Sequence, residues 1–141
     1  MVRKKVFVSY DHENDRQYRH MLEEWNTNPD FEFCFSSLSP NEVKKEDIMH
    51  AKEVITSKIK ETDYTFVITG KDANKENKFH EDIGYRNWQN FEIAVSKANN
   101  KKLAGIKLNK KFESPQEIVG CGVKSAMSFT KEAILKALKD A

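Results

Sequence analysis

The densest run of groups able to do chemistry is Asn87-Trp88-Gln89-Asn90-Phe91-Glu92-Ile93-Ala94. Read as a helix at about 100° per residue, the segment puts Glu92 beside Trp88 and Val95, on the flank of an apolar stripe. A carboxylate in that position is partly shielded from water and is a candidate catalytic group. The same spacing also fits an interfacial glutamate whose stem packs on Trp88 while its head reaches solvent. The residues alone leave both readings open.

Other chemistries fail on their own requirements. A phosphate-cradling loop needs G-x-x-x-x-G-K-[ST], a dinucleotide fingerprint needs G-x-G-x-x-G after a strand, and neither occurs. A phosphoacceptor would need an Asp at the end of the third strand, which instead reads Ile68-Thr69-Gly70, with Asp72 beyond it. There is no nucleophile elbow. The four histidines, His12, His20, His50 and His80, are scattered and mostly in polar surroundings, so no zinc constellation forms and no metal is expected.

The elements that must position Glu92 follow from periodicity. Lys5 to Tyr10 reads as a strand, and Asp11 to Asp15 offers helix N-caps. Tyr18, Met21, Leu22 and Trp25 then mark one face of a helix closed by Asn28-Pro29. Phe31 to Phe35 reads as a second strand and 36–41 as a loop around Pro40. Ile48, Ala51, Ile55 and Ile59 form one stripe of a second helix, with Val54 beside it.

Thr62 to Thr69 reads as a strand covered on both faces. The charged stretch from Lys71 to Arg86 has no periodicity and is unusually long for a structureless loop, so it is either mobile or functional. Trp88, Phe91, Val95 and Ala98 mark a third helix, Leu103 to Leu108 a fourth strand, and Ile134, Leu135 and Leu138 a C-terminal helix capped by Ser128 or Thr130. A short edge strand fits within Gly120 to Ser128. The alternation predicts a parallel sheet with helices on both faces, and a ligand crevice beyond the carboxyl ends of the strands.

The 141 residues suit one domain, 1–141. With 24 Lys plus Arg against 22 Asp plus Glu, no strong field favours nucleic acid or an anionic membrane. The apolar run after the basic N-terminus is too short for an export signal, and no stretch approaches a membrane span. A cytoplasmic protein is expected, with Cys34 and Cys121 as reduced thiols.

Two stretches carry a family resemblance. Val6-Phe7-Val8-Ser9-Tyr10-Asp11, followed by acidic and basic residues, resembles the first box of TIR domains. The W-x-x-x-E-I of Trp88 to Ile93, then Ala94 and the run from Lys102 to Leu108, resembles the bacterial TIR-like family that includes the signal-producing subunits of Thoeris antiphage systems. The resemblance spans about Lys5 to Leu108. It implies an α/β, flavodoxin-like three-layer sandwich with a central, mostly parallel sheet.

The resemblance further implies cleavage of NAD+ at the nicotinamide-ribose bond, with Glu92 as catalytic carboxylate and NAD+ as substrate. A fixed carboxylate stabilises the oxocarbenium-like ribose left when nicotinamide departs. Attack by water gives ADP-ribose, and attack from within the molecule gives a cyclic product. By position, Ser9, Tyr10 and Asp11 after the first strand are candidate substrate contacts. Tyr10 and Asp11 equally suit capping or packing of the first helix. Ser36 and Ser37, with the 41–47 loop, correspond to the segment that covers the nucleotide in TIR domains, though the same residues suit an ordinary turn. Trp88 is placed to stack on a base or to sit in the core.

Implied partners are NAD+, an effector reached through the product nucleotide, further copies of the chain, and a phage-derived trigger, with neither nucleic acid nor membrane among them. The long 70–87 segment departs from the family pattern and brings His80, Glu81, Asp82, Tyr85 and Arg86 toward the expected pocket. Arg86 is either a pyrophosphate ligand or a solvated loop charge. Two rivals remain: a non-catalytic TIR-like interaction module assembling through the 36–47 loop, and a nucleoside deoxyribosyltransferase-like enzyme with a glutamate nucleophile.

Overall fold

A computed structural model of the chain describes residues 3–38 and 43–141, so the 39–42 part of the loop expected around Pro40 lies outside the described residues. Five parallel strands form one sheet in the order β2-β1-β3-β4-β5. They are β1 (Lys4–Ser9), β2 (Phe33–Ser36), β3 (Tyr64–Thr69), β4 (Lys102–Lys107) and the two-residue β5 (Lys124–Ser125). Five helices accompany them: α1 (Arg16–Trp25), α2 (Ile48–Lys60), α3 (His80–Ile83), α4 (Trp88–Ala98) and α5 (Lys131–Asp140). The flavodoxin-like order reverses direction between β1 and β3, and their carboxyl ends flank the crevice where such sheets take ligands.

Alternate strand residues face opposite layers. Val6, Val8, Phe66 and Ile68 pack with Leu22 of α1 and with Ile134, Ala137 and Leu138 of α5 in one buried cluster. Phe7 packs on the other face with Ile48, Ile55 and Ile59 of α2, Ile83 of α3, and Trp88 and Phe91 of α4. β3 is buried along its whole length, as its continuous β-rich sequence predicts.

Several expectations shift. Thr62 is not part of β3: its hydroxyl donates to the Ile59 carbonyl at 2.7 Å and finishes α2. Phe31 falls outside β2 but remains in the aromatic cluster. Met21 of α1 is exposed, because the stripe buries Leu22 and leaves its neighbour at the edge. Thr130, rather than Ser128, caps α5, its hydroxyl accepting from the Ala133 N–H.

The 71–86 stretch is not structureless. It contains α3, anchored by the buried Ile83 and stopped by Gly84 at φ 88°, a left-handed position that glycine adopts without steric cost. Its anchors, Phe79 and Ile83, are too sparse to produce a periodic signal.

Candidate active site

α4 begins where the sequence places it because Asn87 accepts a hydrogen bond from the Asn90 N–H at 2.9 Å, an N-cap arrangement. Trp88 and Phe91 then pack against α2 and α3. Gln89, Glu92 and Ser96, at i, i+3 and i+7, share another face, which meets the sheet. All three are buried.

That face is a polar seam. Gln89 Nε2 donates to the carbonyls of Ser9 at 3.1 Å and Ile68 at 2.8 Å, clasping the ends of β1 and β3. Ser9 Oγ donates to Glu92 Oε1 at 2.8 Å. Ser96 Oγ donates to the Glu92 carbonyl at 2.8 Å and lies 2.7 Å from Thr65 Oγ1. With the Ser96 proton committed, Thr65 is the donor of that last pair.

Glu92 is only 1% exposed, and its Oε2 has no partner among the described residues. The carboxyl is therefore sealed under the helix rather than half-sheltered on its flank, with Ser9 as its polar partner on the sheet side. Burial pushes its pKa up to about 8, against the opposing hydrogen bond from Ser9. Near neutral pH it is mostly the neutral acid. Gln89 Oε1 is likewise buried without a partner among the described residues.

Beyond the ends of β1 and β3 lies a cavity of about 590 Å³. Tyr10, Asp11 and Trp88 line it, and Ser9, Ser36 and Glu92 do not. Gln89 and Trp88, three and four residues before Glu92, form part of its wall, so the carboxyl lies behind that wall. Trp88 also packs edge-on against Phe91 at 5.7 Å, serving core and cavity together. Tyr10 is buried, with the Arg19 guanidinium 6.0 Å from its ring centroid. Asp11 organises the turn into α1, accepting from the Glu13 N–H at 3.0 Å and Asn14 Nδ2 at 2.7 Å. Ser36 ends β2 beside Phe7. Ser37 Oγ is buried without a partner among the described residues.

Residues not singled out from the sequence also build this site. His12 lines the cavity, with its ring 4.1 Å from that of Tyr10. Burial is the largest influence on it and lowers its pKa to about 4; Asp11 opposes this, and Arg19 and Arg16 reinforce it. The buried Asp15 is pushed up to about 6, first by burial, then by repulsion from Asp11 and Asp72, with Lys71 opposing. A side chain at Gly70 would overlap the Asp15 carboxylate, so glycine permits that approach. The only advance signal was that these residues follow strand ends.

The long segment after β3 is a braced wall. Asn87 Nδ2 donates to the carbonyls of Ala73 at 2.8 Å and Lys75 at 3.0 Å. Asn90 Nδ2 reaches the Ala73 carbonyl at 3.3 Å, and Asn90 Oδ1 accepts from the Glu117 N–H at 3.0 Å. Arg86 reaches Gln116 Oε1 at 3.1 Å and so serves as a brace outside the cavity lining. His80 pairs with Glu76 at 2.7 Å, and Tyr85 packs 6.0 Å from Phe91. His80 to Arg86 thus stand behind the wall, and the 75–79 stretch faces the cavity.

Among the described residues, no group of three or more His, Cys, Asp or Glu side chains could hold a metal ion, and no helix is long and apolar enough to cross a membrane. Cys34 and Cys121 are free thiols.

The parallel sheet, its strand order and the glutamate-bearing helix at the switch point define the flavodoxin-like, TIR-like class of α/β domain. The chain belongs to the family of the TIR-like domain of the Thoeris protein ThsB, whose model matches residues 7–113. This membership supports a Thoeris-type antiphage role. Comparison with curated proteins finds no match.

Proposed function

We infer that this domain cleaves NAD+ at the nicotinamide-ribose bond and releases an ADP-ribose-type nucleotide signal, cyclic where the attacking group lies in the same molecule. The observation that carries this reading is Glu92: a buried carboxyl with one oxygen unpartnered among the described residues, one helical turn from Trp88 and Gln89 of the switch-point cavity wall. Family membership over 7–113 adds to it.

The chemistry asks little of the protein beyond placement and charge. The bond from ribose C1′ to the pyridinium nitrogen breaks, and its electron pair leaves with neutral nicotinamide. The ribose is left oxocarbenium-like. An ionised Glu92 stabilises that cation most strongly where water is excluded. Glu92 must first lose its proton and gain access to the cavity. The fixed positive charge of the substrate favours ionisation, because an opposite charge nearby lowers a carboxyl pKa. Movement of Gln89 or Trp88 would open the path. Tyr10, Asp11 and Trp88 are the proposed substrate contacts, with Ser9 holding the carboxyl; Ser36 stands outside the cavity lining.

The test compares wild type with Glu92→Gln in phage-infected cells, with nucleotide extracts read by mass spectrometry. Wild type is expected to consume NAD+ and accumulate an ADP-ribose-type product. The variant keeps the shape of the side chain and should lose the product by about 100-fold or more, within the usual range for removing a transition-state electrostatic partner. Equal product from both proteins would reject the role of Glu92.

The sealed position of Glu92 favours one rival, an interaction module in which the carboxyl is only a seam residue. That reading gains if wild type leaves NAD+ intact in infected cells while still binding a partner.

A further inference from the structure

The charges around the cavity are unequally engaged. Asp11 accepts from the Glu13 N–H and Asn14, Asp72 accepts from Asn14 Nδ2 at 3.0 Å, and Glu76 pairs with His80 at 2.7 Å. Only Glu13, exposed at the cavity, has a carboxylate without a partner among the described residues. Three cations, Arg16, Lys75 and Lys78, also line the cavity. None of the three makes an ion pair among the described residues, and Lys78 has only the Phe79 ring, 5.1 Å from its Nζ. The lining therefore holds four carboxylates and three cations, and the carboxylates keep their charge when neutral N–H and amide groups donate to them; what distinguishes Arg16, Lys75 and Lys78 is that no carboxylate among the described residues holds any of the three heads.

A lysine on a wandering loop would mean little, but these two have fixed backbones. Asn87 Nδ2 holds the Lys75 carbonyl at 3.0 Å. Lys78 is bracketed by the Asn77 N–H donating to the Arg86 carbonyl at 2.7 Å and by the Phe79 N–H donating to Asn77 Oδ1 at 2.8 Å. A ligand then need only order two side chains, and the smaller ordering cost leaves more of the interaction as affinity. Lysine heads act as point charges for phosphate oxygens. Phe79 and Trp88 in the same lining supply aromatic surface suited to a base.

We propose that Lys75 and Lys78, assisted by Arg16, form an anion subsite for the diphosphate of a nucleotide ligand. The proposal rests on the reading that this cavity takes a dinucleotide, and it assigns the phosphate to the braced wall rather than to Arg86. The uncharged parts of the ligand fall to the aromatic rings.

Calorimetric titration of the full chain with inorganic pyrophosphate, ADP-ribose and adenosine tests it. Wild type should bind pyrophosphate and ADP-ribose, more weakly as salt rises. The double variant Lys75→Gln/Lys78→Gln should bind both at least about tenfold more weakly, a loss of about 1.4 kcal/mol, while adenosine binds both proteins alike. A Lys110→Gln/Lys111→Gln control removes the same charge away from the cavity lining and should leave the affinities unchanged. Undiminished affinity in the double variant, an equal loss in the control, or no pyrophosphate or ADP-ribose binding by wild type overturns the subsite. Pyrophosphate binding without NAD+ cleavage would sink the enzymatic reading alone, and cleavage with undiminished ADP-ribose affinity in the double variant would sink the subsite alone.

Discussion

On the face covered by α1 and α5, the central strands present Val6, Val8, Phe66 and Ile68 to an apolar, aromatic-rich cluster. On the face covered by α4, the intervening residues Ser9 and Thr65 meet Glu92 and Ser96 through hydrogen bonds. The same strands thus hold a hydrophobic core on one side and a buried polar seam on the other. The first side stabilises the fold by removing apolar surface from water. The second keeps polar groups away from solvent and leaves Gln89 Oε1 and Glu92 Oε2 without partners among the described residues, a costly arrangement that localises chemistry.

The largest expected effect is on the apolar side. Phe66→Ala should destabilise the protein by about 3–5 kcal/mol in urea denaturation, because it opens a cavity in packed surroundings. A loss below about 1 kcal/mol would show that this face does not carry the fold.

Glu92→Gln should act in the opposite direction. The folded pKa of about 8 lies above the ordinary glutamate value of 4.5, so the folded state binds the proton more tightly. The stability contributed by the neutral acid is complete below about 4.5 and is lost as pH rises to about 8. The glutamine variant lacks this loss. Its melting temperature should exceed that of wild type at pH 8, by an amount corresponding to a few kcal/mol at most, and approach it at pH 5. A gap between the two proteins that ignores pH would remove the case for a proton held on Glu92.

The smallest effect concerns the inner end of the seam. Ser96→Ala should cost about 1–3 kcal/mol, because it strands the Thr65 hydroxyl. Adding Thr65→Val should recover part of that loss in a double-mutant cycle. Simple additivity would mean that the two hydroxyls are not coupled.

The contrast between the faces also marks how far the sequence could be read. The strand-helix alternation and the runs at Lys5 to Tyr10 and Thr62 to Thr69 expose the sheet, because a parallel strand buried on both faces must be continuously β-rich. Asn87 and the spacing of Trp88 and Phe91 expose α4. The depth of Glu92 is hidden for a physical reason: periodicity counts apolar residues, and it finds the stripe facing α2. The second buried face is polar, and it is specified by partners 83 and 31 residues distant in sequence, Ser9 and Thr65. The wall after β3 is hidden for a similar reason. Its order comes from Asn74, Asn87, Asn90 and Arg86 bonding to backbone and amide groups, in a composition that otherwise reads as solvated loop.

Glu92 as a neutral acid that ionises for a cationic substrate is the centre of this account. Carbon-13 NMR titration of its side-chain carboxyl, assigned by its disappearance in Glu92→Gln, tests this directly in the free protein and with a non-cleavable NAD+ analogue that retains the pyridinium charge. The expected result is a midpoint near 8 in the free protein that falls when the analogue binds. A midpoint in the ordinary carboxylate range, or one that does not move with the analogue bound, would contradict it.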